Sequence, residues 1–159
     1  MINKPLDKID LNDLEQLRIN AVLEGKTIEY KQQLPANSDG DRKEFLADIS
    51  SFANASGGDL IFGIIEENGS PKSIDGVEIE NIDEEIRKYE NIIRDGVEPR
   101  TIFATHFVNI SDKKFVLIFR VNKSWIGPHR VIYKGHDKFY SRNSAGKYAL
   151  DTNELKIAF

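Results

Sequence analysis

The chain contains no cysteine, a single tryptophan and a single methionine among 159 residues. The missing cysteines exclude disulfides, thiolate zinc sites and a cysteine nucleophile, and they agree with an expected cytoplasmic location. Long apolar runs are missing too. Nothing approaches the ~18 residues needed to cross a bilayer. The opening Met1-Ile-Asn-Lys-Pro-Leu-Asp7 lacks the apolar core of a signal peptide. No membrane partner is expected. The three histidines, His106, His129 and His136, fit no zinc-ligand spacing, and no Ser-His-Asp arrangement stands out. Zinc is not expected, and no histidine is assigned a catalytic role. No G-x4-G-K-[ST] loop occurs either, so ATP is not expected.

Charge is present in quantity but unevenly placed. Lys and Arg number 22 against 26 Asp and Glu, a net charge of −4. Between Lys113 and Tyr148 lie nine cations (Lys113, Lys114, Arg120, Lys123, Arg130, Lys134, Lys138, Arg142, Lys147) and one acid, Asp137. That segment carries +8, which leaves 13 basic and 25 acidic residues, or −12, for the remainder. Such asymmetry points to a polyanion-binding face on the basic segment. A set of solvated strands with alternating lysines is the competing explanation.

Hydrophobic periodicity places the elements. A helix is expected over 7–23, capped by Asp10, with Leu11, Leu14, Leu17 and Val22 on one face. Residues 27–33 alternate as a half-buried strand, with Ile28 and Tyr30 on one side and Glu29 and Lys31 on the other. Phe45, Leu46, Ile49, Phe52 and Ala53 share one face of a helix at about 42–56, capped by Asp39 or Asp41 and stopped by Gly57-Gly58. Leu60–Ile65 is apolar on both faces and reads as a central strand. A helix over 81–95 buries Ile82, Ile86, Tyr89 and Ile93, and strands follow at about 101–109 and 114–123. A hairpin then turns at Gly135. The expected fold is α+β, a mixed, largely antiparallel sheet with packed helices. Residues 1–150 form the expected domain. A further helix or linker begins at 151–159, as if the chain were cut from a longer protein.

Glu24-x4-Glu29-Tyr30-Lys31, a helix ending Phe52-Ala-Asn-x-x-Gly-Gly58, then Asp59-Leu-Ile-Phe-Gly-Ile64 and an acidic turn together resemble the Schlafen-type AlbA-like domain, a family labelled DNA-binding. The resemblance runs from about Leu11 to Arg142. Catalytic members cleave RNA, tRNA in particular, at two glutamates and a third acid. The resemblance carries those roles onto Glu24 and Glu29 by their spacing and onto Glu66 as the third. The family position for the third is commonly aspartate, and the Glu66-Glu67 pair leaves its register open.

Read from the residues themselves, three carboxylates without histidine or cysteine form a hard oxygen site suited to magnesium or manganese. Such an ion can polarise a phosphodiester and activate water. Lys31 shares the Glu29 face and can neutralise a phosphate. Surface glutamates paired with Lys26, Lys31 or Arg42 are the plainer explanation. Gly57-Gly58 follows a helix instead of preceding one, so a tight helix-to-strand turn is expected and not a phosphate loop. Asn54 is expected to bond that turn.

Arg130, Lys134, Lys138, Tyr140 and Arg142 are the expected nucleic-acid contacts, with Arg142 assigned to a phosphate or to an internal carboxylate. Trp125 and Phe139 are expected in the core. Two functions remain open: a metal-dependent endoribonuclease acting on tRNA or other structured RNA, and a non-catalytic DNA- or RNA-binding module of a larger regulator or defence protein. RNA is expected ahead of DNA. Pairing of two chains is expected from base rates and the resemblance alone.

Overall fold

The computed structural model describes residues 1–159. The first half of the chain supplies part of one sheet and the helix that covers it. A 3-10 turn at Leu6–Lys8 leads to α1 (Leu11–Ile19), where Asp10 and Asp13 form a reciprocal capping box. The helix expected over 7–23 is therefore shorter, and Ala21, at φ 48°, turns the chain away. Next come β1 (Ile28–Lys31), α2 (Asp39–Asn54) and β2 (Gly58–Phe62). Ser38, not Asp39 or Asp41, caps α2 by accepting from the Asp41 N–H; the two aspartates sit in the first turn, where the helix dipole favours them.

Gly57 and Gly58 are required at the helix-to-strand turn. Gly57 has φ +74° and donates its N–H to Phe52 O at 2.8 Å. A Cβ at Gly58 would enter the Phe52 ring and lie 2.5 Å from Thr27 O. β2 is buried along its whole length, as a central strand should be. The expected strand over 60–65 breaks at Gly63, whose φ is +104°. Beyond it β3 (Ile64–Glu67) leaves the sheet and pairs with β4 (Ser70–Ile74) as a separate hairpin.

The chain continues through β5 (Val77–Glu78), α3 (Ile82–Gly96), β6 (Val97–Glu98), β7 (Phe103–Ser111) and β8 (Lys114–Val121). The main sheet has the order β1-β2-β8-β5, with β7 also on β8; β1–β2 is parallel and the other pairs are antiparallel. A second, antiparallel sheet has the order β11-β10-β9-β6, from β9 (Arg130–Tyr133), β10 (His136–Asn143) and β11 (Gly146–Ala149). A short α4 (Thr152–Ala158) closes the described chain. The α+β expectation holds.

Alternation along the strands sends side chains to two cores. Leu60, Phe62, Leu117 and Phe119 meet Phe45, Ile49 and Phe52 of α2 and Tyr89 and Ile93 of α3. Phe45, Phe62, Tyr89 and Phe119 touch at tilted or edge-to-face angles, the geometry ring quadrupoles prefer. Ile61, Val116 and Ile118 point the other way, onto Leu14, Leu17, Ile28 and Tyr30. Leu46, on the far side of α2, packs on Val97 and Val131 of the second sheet. Helix α2 thus lies between the two sheets. Because Ile28 and Tyr30 face α1, Glu29 and Lys31 must face α2. That parity sets the site.

Candidate functional site

The acidic turn brings together the ends of the E-x4-E motif. Glu24 donates its N–H to Gly69 O at 2.8 Å, and its Oε1 accepts from the Tyr30 N–H at 3.0 Å. Glu66 Oε2 accepts from the Gly69 N–H at 2.7 Å. Burial first, then the charges of Glu29 and Glu66, hold the Glu24 carboxyl above its ordinary pKa. Glu67 points away to Lys72 at 3.2 Å. Of the two glutamates, Glu66 is the one whose charge Glu24 feels.

Glu29 is committed elsewhere. Its Oε1 accepts from Arg142 Nη2 at 2.9 Å, and Lys31 Nζ lies 3.2 Å from its Oε2. Oε2 is buried and accepts no well-directed hydrogen bond, so Lys31 supplies charge alone there. Asp48 of α2 stands behind the pair, 2 % exposed, with Lys147 Nζ at 2.8 Å, Lys31 Nζ at 3.5 Å and Arg142 Nη1 at 3.9 Å. Glu44 closes the network by pairing with Lys147 and Lys31. Burial opposes the charge on Glu29, but Lys31 and Arg142 outweigh it and pull its pKa down to about 2. Burial and the neighbouring Glu29 charge push Asp48 up to about 7. Two close carboxyls thus divide, one charged and one reluctant to ionise.

A magnesium or manganese ion would need several oxygens converging at about 2.0–2.6 Å. No group of three carboxylates or imidazoles gathers that way. The Glu29 oxygens face cations of the protein itself, and one oxygen each of Glu24 and Glu66 is taken by a backbone N–H. As placed, these residues do not form a metal-ligand set.

The basic segment also folds differently from its charge count. Arg142 is fully buried, with its guanidinium 4.1 Å from the Phe52 ring centre and its Nη2 on Glu29 and Gly25 O. The internal carboxylate wins, and Arg142 is not a phosphate contact. Arg120 binds buried Asp59 at 2.8 Å and ties down the N-terminal arm through Ile2 O and Lys4 O. Lys147 faces Asp48. Arg130 is held by Glu98 and Asp137. Trp125, expected in the core, is 88 % exposed. Phe139 is half-buried against Phe159.

What remains outward is a face shared by the start of α2 and the β9–β10 hairpin. His136 and Tyr140 stack with ring centres 6.0 Å apart and a 2.8 Å bond from His136 Nε2 to Tyr140 Oη. Burial, then the Lys43 and Lys138 charges, hold the His136 imidazole below its ordinary pKa. Neither lysine has an ionic partner, while Lys134 meets Asp39 at 2.9 Å and Arg42 donates to Tyr133 Oη at 3.3 Å. Charge counting along the hairpin missed Lys43 because it lies on a different element. It missed Asp48 because its helix was read for apolar residues only. A lone carboxylate within the buried run Phe45–Ala53 was the available signal.

Asn54 does not bond its own turn. Its Nδ2 donates to His129 O and Tyr140 O, both at 2.8 Å, and its Oδ1 accepts from the His129 N–H at 2.7 Å. It pins the end of α2 to the second sheet.

Residues 24–151 match the family model described as Schlafen, AlbA_2. No curated protein matches the sequence. Two solved structures share the fold. One is the crystal structure of the DIP2311 protein from Corynebacterium diphtheriae, with TM-score 0.56 and 15% identity over 91% of this chain and 30% of that one. The chain thus spans under a third of that protein's length. The other is the solution structure of the N-terminal domain of a RecG-related protein, named for an ATP-dependent DNA helicase, from Nitrosomonas europaea. It has TM-score 0.57 and 21% identity over 82% of this chain and 84% of that one. No helix is long and apolar enough to cross a membrane.

Proposed function

The chain belongs to the Schlafen AlbA_2 family, and from that membership we propose that it binds nucleic acid, RNA ahead of DNA, at the face formed by α2 and the β9–β10 hairpin. The family and the helicase-related name of one structural neighbour support a nucleic-acid-related domain. The observation that carries the reading is the unpartnered pair Lys43 and Lys138 flanking the stacked His136 and Tyr140. Cations without partners can release counterions from phosphates, and ring faces suit bases. On this reading Glu29, Lys31, Asp48, Arg142 and Lys147 tie α2 to both sheets and take no part in chemistry.

The metal-dependent endoribonuclease is the second reading. One observation favours it: the shared turn that keeps Glu24 and Glu66 within electrostatic reach of each other and of Glu29. Both readings meet in one experiment. Labelled tRNA, single-stranded RNA and DNA are incubated with the protein in manganese, magnesium or EDTA, with binding followed by anisotropy and cleavage by gel. Binding in EDTA, weakened in the Lys43→Ala/Lys138→Ala protein and with no cleavage in either metal, is the expected result. Metal-dependent cleavage lost in Glu24→Gln would establish the nuclease instead. Glu24 is the better probe because altering Glu29 takes from buried Arg142 its closest carboxylate.

A further inference from the structure

The loop between β8 and β9 presents the chain's one tryptophan to solvent on a rigid support. Ser124 donates its N–H to Ala53 O at 3.0 Å, and its hydroxyl accepts the Ile126 N–H at 3.1 Å and meets His129 Nε2 at 2.6 Å. His129 is buried, with Nδ1 2.6 Å from Pro99 O and its N–H on Asn54. Asn122 donates its N–H to Ile102 O. The loop is therefore fixed on both flanks of Trp125, yet the indole is 88 % exposed and Ile126 65 %. Beside it runs a groove of about 410 Å³, lined by Asn54, Ser124, Pro128, Ser141, Leu150 and Ile157. An aromatic held out by a pinned loop loses little freedom when a ligand stacks on it. Contiguous exposed apolar surface of this kind marks an interaction site.

Charge narrows the ligand. Lys123 Nζ lies 5.0 Å from the Trp125 ring centre and forms no ion pair. Glu154, the one acid on the groove, is turned to Tyr148 Oη and the Asp151 N–H. A flat apolar ring with an unpartnered lysine beside it fits a nucleobase and its phosphate better than an uncharged protein surface.

We propose that Trp125 is a stacking platform for one unpaired base of a single-stranded nucleic acid, seated at the groove between the β8–β9 loop and α4, with Lys123 beside the adjoining phosphate. This rests on the nucleic-acid reading above and adds single-strandedness to it. The lone tryptophan is its own reporter. Its fluorescence is followed in EDTA while a single-stranded oligonucleotide, or the duplex of the same sequence, is added, and binding is measured separately by anisotropy of the labelled strand. Quenching by the single strand but not the duplex is expected. So is a loss of about tenfold or more in single-strand affinity for Trp125→Ala, with most of it kept in Trp125→Phe. Binding of the single strand without quenching, and unchanged in Trp125→Ala, overturns the stacking role, leaves the nucleic-acid reading intact and returns the patch to a protein partner. Absence of any oligonucleotide binding overturns both.

Discussion

Arg142 lies near the end of β10 with its side chain 0 % exposed, wedged between Glu29 and the Phe52 ring. Its Nε has no hydrogen-bond partner, so its ionic contacts and ring contact must offset a large desolvation cost. Removing such a partner strands a buried charge. We expect Arg142→Met to lower stability by about 3–5 kcal/mol near neutral pH. The pH dependence follows from Glu29, held down to about 2 in the folded chain against an ordinary ~4.3. A depressed carboxyl stabilises fully above its unfolded pKa, and that contribution fades as pH falls toward the folded value. The deficit of the variant should therefore shrink between about pH 4 and pH 2. Urea unfolding of both proteins across that window checks it. A deficit independent of pH would mean that Arg142 acts through packing on Phe52 alone. Residue chemistry was legible here only in part. Alternation alone put Glu29 and Lys31 on one face. Nothing in the local pattern said that Arg142, more than a hundred residues on, would reach that face.

Among the elements, α2 joins the two sheets, and Asn54 makes the joint directional. Three hydrogen bonds join this one side chain to β10 and to the loop that approaches β9. Truncation would leave the His129 N–H, on a buried residue, and two carbonyls unmatched, and each unmatched buried group costs about 1–3 kcal/mol. Asn54→Ala should destabilise by about 2–4 kcal/mol in total, since relaxation recovers part of that cost. Hydrogen exchange should localise the change: the His129 amide loses protection while amides of β2 and β8 keep theirs. Uniform loss across both sheets would show that the joint is not a separable unit. Elements with strong periodicity, α2, α3 and β8, were readable from the sequence because burial on one or both faces leaves a clear pattern. The break at Gly63 was not, because a single positive φ inside an apolar run leaves no pattern. Nor was β11, four residues with no buried position to mark a face.

Across the whole molecule, the +8 counted along residues 113–148 is not a surface charge. Arg120, Arg142 and Lys147 turn inward onto Asp59, Glu29 and Asp48. Lys113, Arg130 and Lys134 are matched at the surface by Glu80, Glu98 with Asp137, and Asp39. Only Lys114, Lys123 and Lys138 of the nine lack an ionic partner, and Lys43 joins them from α2. Tertiary pairing, which no count along the chain can foresee, thus decides how strongly the domain can hold a polyanion. Each phosphate neutralised on a single strand contributes a slope of about −0.7 in log K against log salt. Nine cations acting together would give about −6, whereas four give about −3. We expect the slope for a single-stranded oligonucleotide, measured by anisotropy between 50 and 200 mM salt, to lie near −3 or shallower. A slope near −6 would mean that cations beyond these four reach phosphates, and where Arg142 and Lys147 are among them they must leave Glu29 and Asp48. The buried network would then be a switch that nucleic acid opens, not the clasp that holds α2 between the sheets.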